Sequence, residues 1–269
     1  MNIRTGLSLV LALLLAAPVI QAAEKIPAAE RMLFVGNSLT YYGNAPAIYA
    51  ALSTANGRPV AADMIVEGGA TLTQRVADGS VQQALQEGSY DTLVIQERGG
   101  DLLCSFGPHS CIQSRAATMA LATLAKRHGV KVVMLGSYQP HPATSAQLVQ
   151  KETSACDEAG VTYAEVSEKL QHLTAAAPAL AWFAADGMHP GKDLALLNAI
   201  VIYDAVHGEL PDAVELTISA PIYAENTGLQ ATLRAADAPA PHEDTDEGTQ
   251  YSAATIALIL GIISASERD

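Results

Sequence analysis

Short apolar runs alternate with longer stretches of helical periodicity along most of this chain. That alternation constrains its fold more than any other feature. Residues 32–36 (Met-Leu-Phe-Val-Gly), 60–66, 92–95 (Thr-Leu-Val-Ile), 131–135 (Lys-Val-Val-Met-Leu) and 161–166 read as strands. Helical spacing fills 44–56, 72–86, 112–128, 145–158, 168–176 and 194–206, and Gly57, Gly88, Gly129, Gly160 and Gly208 supply stop signals. Most of the strands are apolar on both faces, so helices must cover both sides of a parallel sheet. The expected fold is α/β: a three-layer α/β/α sandwich around a central, mostly parallel five-stranded sheet. The chain has 269 residues and is 49% hydrophobic, enough for a buried core and too apolar for a disordered protein.

Both ends read differently from the middle. Arg4 and an uncharged run over 7–20 precede Ala22 and Ala23, the pattern of a secretory signal peptide over 1–22. The rival reading, an N-terminal anchor, needs about 20 apolar residues, and this run is shorter and carries Pro18. The main domain is expected over 23–234, and 235–250, rich in Ala, Pro, Asp and Glu, reads as a flexible segment. The rest, 251–269, reads as a helix packing back on the domain. Its apolar part is short for a membrane span and is interrupted by Gly261.

The expected location is therefore periplasmic or secreted, with no stable membrane insertion once the leader is cut. A net charge of −13, from 15 basic against 28 acidic residues, argues against nucleic acid and anionic membrane surfaces as partners. In an oxidising compartment Cys104 and Cys111, separated by a Phe106-Gly107-Pro108 turn, read as a local disulfide. The alternative, a metal held by Cys104, His109 and Cys111, has no fourth ligand nearby. Cys156 falls on an amphipathic helix and reads as a buried free thiol.

Ligands of an open parallel sheet sit beyond the carboxyl ends of its strands. Gly-Asn-Ser-Leu-Thr follows the first strand at 36–40, Glu-Gly-Gly-Ala-Thr the second at 67–71, and Gln-Glu-Arg the third at 96–98. Asp-Gly-Met-His-Pro stands at 186–190, just before a helix. A serine hydroxyl attacks an ester only when a neutral imidazole takes its proton, and that imidazole needs a partner to hold its tautomer. Asp186 and His189, three apart on a turn, can meet in that way. The oxyanion that forms needs fixed donors, which the N–H groups of Ser38 and Gly69 and the amide of Gln96 can supply. No Gly-x-Ser-x-Gly elbow occurs, which removes the α/β-hydrolase version of this chemistry.

With these blocks in order, the sequence resembles the SGNH hydrolase superfamily (GDSL-like esterases and lipases), in its branch with a GNS-L/F-T first block. The resemblance covers about 31–211. It implies a flavodoxin-like sandwich, Ser38 as nucleophile, His189 and Asp186 as the rest of a triad, and Gly69 as an oxyanion donor. It implies no metal and no organic cofactor. The departure is the third block: the family's Gly-x-Asn-Asp is absent and Ile95-Gln96-Glu97 stands there instead. Gln donates as Asn does, but its extra methylene needs a shifted backbone.

Structural readings compete at each position. The 36–40 block can be a strand-to-helix turn with an N-cap, and His189-Pro190 a helix start. Gly68 can replace Gly69 after a one-residue shift, and Gln96 can satisfy a buried backbone group. Glu97 and Arg98 read as a pair on a solvated loop, with pocket shaping as the alternative. Tyr41 and Tyr42 read as pocket wall or ordinary core. His109, His128, His141, His172, His207 and His242 show no metal-ligand spacing. The expected activity is hydrolysis of acyl esters through an acyl-enzyme, with a small-molecule or carbohydrate ester as substrate and acetyl on a sugar as the first guess. Two rivals are an O-acyltransferase using the same triad and a carbohydrate-binding protein with a degenerate site.

Overall fold

The computed structural model describes residues 29–224, 227–241 and 246–266. The leader expected over 1–22, and His242, lie outside the described residues. In chain order the elements are β1 Glu30–Gly36, α1 Ser38–Tyr41, α2 Ala45–Ala55, β2 Val60–Val66, α3 Leu72–Asp78, α4 Ser80–Glu87, β3 Thr92–Ile95 and α5 Pro108–Arg127. They continue with β4 Lys131–Leu135, α6 Pro142–Ala159, β5 Thr162–Ala164, α7 Ser167–Ala176, α8 Lys192–His207, β6 Leu216–Ile222, β7 Arg234–Ala235, β8 Asp246–Tyr251 and α9 Ala253–Ser266.

The main sheet runs β5-β4-β3-β1-β2-β7. All pairings from β5 to β2 are parallel, and β7 adds antiparallel to Asp63 and Met64 of β2. Among the described residues the sheet thus has six strands where the sequence suggested five. The sixth is only two residues long, too short for an apolar run to announce it. Within β1 successive side chains go to opposite layers, as a strand's two-residue period demands. Met32 and Phe34 join α2, α7, α8 and α9 in one core, while Leu33 and Val35 join α3, α4 and α5 in the other. Cys156 is buried and free among the second set, and burial pushes its thiol up to about 12.

Three local readings change. The helix expected over 72–86 is two helices broken at Gly79, whose φ of 72° caps α3 and opens α4. The helix expected from 112 starts earlier, at Pro108, because a proline in the first turn loses no hydrogen bond. The stretch expected as flexible over 235–250 ends in β8, which pairs antiparallel with β6 in a separate two-stranded sheet. β8 is polar in sequence, so its strand character comes from its partner and not from periodicity. Among the described residues no helix is long and apolar enough to cross a membrane; α9 buries Ile256, Ile259 and Ile263 in the first core.

Candidate active site

β1 delivers the chain to the site, and Gly36 lets it turn there. A Cβ on Gly36 would stand 2.2 Å from Thr40 Oγ1, so only glycine leaves room for Thr40 to fold back under the strand end. Asn37 caps the short helix α1 by accepting the Leu39 N–H on Oδ1 at 3.0 Å. Ser38 is the first residue of α1, so its N–H has no carbonyl one turn back to bond. The other end of Asn37 donates to the Ala70 carbonyl at 3.1 Å, which ties the Ser38 turn to the turn that follows β2.

In that second turn Gly69 has φ 69° and open space where a Cβ would point, so its requirement is conformational. Gly68 instead lies under the Tyr41 hydroxyl, where a Cβ would stand 3.2 Å away, and it is Gly69 that lines the cavity. Sequence reasoning missed Arg75, whose buried guanidinium holds Glu67 at 2.9 Å and Asp78 at 3.3 Å and so braces this turn from α3. Arg75 and Asp78 stand three apart as an ordinary helix pair, and nothing in the sequence marks that the same guanidinium also reaches back to Glu67.

His189 Nε2 lies 2.9 Å from Ser38 Oγ, and His189 Nδ1 lies 2.5 Å from Asp186 Oδ2. Asp186 Oδ1 accepts the backbone N–H groups of Met188 and His189, both at 2.9 Å. The His189 hydrogen bond, then those two amides, holds the Asp186 carboxyl down at about 2. Tyr42 is not pocket wall: its buried ring stacks on the His189 imidazole, with centroids 4.1 Å apart and planes 16° from parallel. Tyr41 is core. The three residues Ser38, His189 and Asp186 thus form one hydrogen-bonded chain, with an aromatic face fixing the plane of its middle member.

Gln96 sits one residue past β3 and is 1% exposed. Its Oε1 accepts the Thr40 hydroxyl at 2.5 Å, while its Nε2 is buried with no partner among the described residues. Gln96 does not line the cavity. Glu97 and Arg98 do not pair with each other on a solvated loop. Arg98 grips Asp101 with Nε and Nη2 at 2.7 and 2.9 Å and covers the Phe106 ring, while Glu97 is buried. Glu97 accepts the Arg98 N–H at 3.0 Å, and its burial, with Asp101 nearby, pushes its carboxyl up to about 7.

Cys104 and Cys111 are bonded to each other, which removes the metal reading of Cys104, His109 and Cys111. Among the described residues no group of three His, Cys, Asp or Glu is placed to hold a metal ion. The disulfide staples the loop between β3 and α5, and that loop gives Arg98, Ser105 and Phe106 to the cavity wall. The cavity measures about 830 Å³ and opens on Ser38, Gly69 and His189.

No family model and no curated protein matches the sequence. Solved structures do match. A protein assigned to the SGNH hydrolases from Slackia heliotrinireducens superposes with a TM-score of 0.55 at 24% identity, over 66% of this chain and 100% of that one. A protein assigned as a GDSL-like lipase from Parabacteroides merdae gives 0.54 at 16% identity, over 69% and 100%. A catalytic mutant of an acetylxylan esterase from Geobacillus stearothermophilus gives 0.55 at 14% identity, over 69% and 98%. The fold of this chain is therefore that of the SGNH hydrolases.

Proposed function

We propose that this chain, which has the SGNH hydrolase fold, is a serine esterase with Ser38 as nucleophile. The observation that carries the reading is the continuous hydrogen-bonded path from Ser38 Oγ through His189 to Asp186. As Ser38 Oγ attacks the ester carbonyl, its proton passes to His189 Nε2, and Asp186 stabilises the imidazolium and keeps it oriented. The tetrahedral oxyanion takes the N–H groups of Ser38 and Gly69; the Gln96 amide, which does not line the cavity, becomes a third donor only by turning toward Ser38. Collapse breaks the bond to the alcohol, which leaves with the proton from His189 and yields an acyl-enzyme on Ser38. Water, deprotonated by His189, then releases the acid. The steps need no metal or organic cofactor. The Cys104–Cys111 bond supports export, since such bonds persist in oxidising compartments.

The test is fluorophosphonate labelling beside ester turnover. The wild type should lose activity as a single adduct forms on the peptide carrying Ser38. Ser38→Ala and His189→Ala should each lose nearly all turnover with unchanged circular dichroism, because the pair acts as a unit. Full turnover in either variant, or an adduct elsewhere, would overturn the assignment.

A further inference from the structure

The cavity wall carries information about the substrate that the triad does not. The cavity begins at Gly69, after β2, and reaches α7, after β5. It therefore crosses the carboxyl ends of the five parallel strands, roughly 19 Å at about 4.8 Å per strand spacing. An acetyl group occupies a small part of such a space.

The wall is also less polar than its residue names suggest. The Tyr138 hydroxyl donates to the Met188 carbonyl at 2.6 Å, and the Gln139 amide donates to the Gly99 carbonyl. The Gln171 amide donates to the carbonyls of Gln139 and Pro140 at 2.8 and 3.0 Å, and the Thr174 hydroxyl to that of Leu170 at 2.9 Å. Arg98 has two nitrogens on Asp101. With these donors engaged inside the protein, most of what faces the cavity is ring and aliphatic surface from Leu39, Phe106, Tyr138, Pro140, Leu170 and Phe183, with Ser105 and the backbone of Gly99 and Gly100 as its polar part. A glycan needs free donors for its hydroxyl oxygens; a hydrocarbon chain needs none.

We propose that the site is built for esters of medium-length acyl chains, with the chain lying along this wall toward α7. The inference rests on the esterase reading and departs from acetyl on a sugar as its substrate. The chain is assigned to the acyl side because the leaving alcohol must sit at His189, beside the exposed 185–188 turn, where it exits to water.

The experiment follows release of acid by titration at constant pH, using wild-type protein. The substrates are methyl acetate, butanoate, hexanoate and octanoate, octyl acetate, and an acetylated xylo-oligosaccharide. Each methylene that enters the wall should raise kcat/KM about fourfold, so methyl octanoate should exceed methyl butanoate well over tenfold. Phe183→Ser should flatten that series. A series that is flat or falls with chain length overturns the proposal, as does a preference for the acetylated sugar. Octyl acetate matching methyl octanoate also overturns it, by giving the wall to the alcohol. Those results leave the esterase standing if Ser38 still takes the fluorophosphonate. No turnover on any ester and no labelling would overturn both readings.

Discussion

Glu97 lies buried just past the end of β3, and its burial predicts a measurable dependence of stability on pH. Removal from water, then the nearby Asp101, raises its carboxyl from an ordinary 4.5 to about 7. Below about pH 4.5 the group is protonated whether the chain is folded or not, and it costs nothing. Between 4.5 and 7 the folded protein keeps a proton that the unfolded chain gives up, so stability falls as pH rises. Above 7 the group is ionised in both states and the full cost, about 3 kcal/mol, is present. Glu97→Gln copies the protonated form and can still accept the Arg98 N–H that Glu97 accepts at 3.0 Å. Urea unfolding of both proteins, disulfide intact, at pH 5 and pH 8 should show the wild type losing about 2–3 kcal/mol relative to the variant over that interval. Glu152, also buried and also raised to about 7, titrates in both proteins and drops out of the comparison. Parallel stability curves for the two proteins would refute the reasoning.

Three further outcomes are expected. Gln96→Ala should lower kcat about 10²–10³-fold with little change in KM if its free Nε2 meets the oxyanion. Gln96→Asn should recover only part, since the donor retracts by one methylene; a loss of thermal stability with normal kcat would make Gln96 structural. Reduction of Cys104–Cys111 should cost about 2.5 kcal/mol of loop entropy and should loosen the wall around Phe106. It should therefore raise KM before circular dichroism changes, and equal KM with and without reductant would count against this. Tyr42→Leu should lower kcat more than Tyr42→Phe, because it is the ring face that meets His189. Equal kcat for all three proteins would show that the stack is idle.

Four of the five parallel strands were legible because they carry more apolar residues than one buried face could use, and residues 60–66, 92–95 and 131–135 match β2, β3 and β4 end for end; β5, expected over 161–166, is only Thr162–Ala164, with one buried residue. β8 was not, because its residues are polar and its order comes from β6. The break at Gly79 was hidden because helical spacing continues through Ser80 on both sides of one left-handed residue. At the site, Ser38, Asp186 and His189 stood out because short blocks carry them. Asn37 bridging to Ala70, Arg75 bracing Glu67 and Tyr42 on His189 are contacts made by the folded chain, 33, 8 and 147 positions apart, and no local pattern encodes them. Burial of Glu97 runs against the usual exposure of glutamate and shows only in three dimensions.

Ser38 and His189 are separated by 151 residues. A nascent chain therefore carries its serine out of the ribosome long before the imidazole that activates it has been synthesised. Any fragment ending before 186 holds a serine with ordinary alcohol reactivity. Pairings this distant in sequence are among the slow events of folding. Turnover recovered during refolding would thus time the docking of the 186–189 turn onto α1, while circular dichroism would time the earlier helices. The two clocks, run on one sample, would separate a chain that is merely compact from one that is chemically armed.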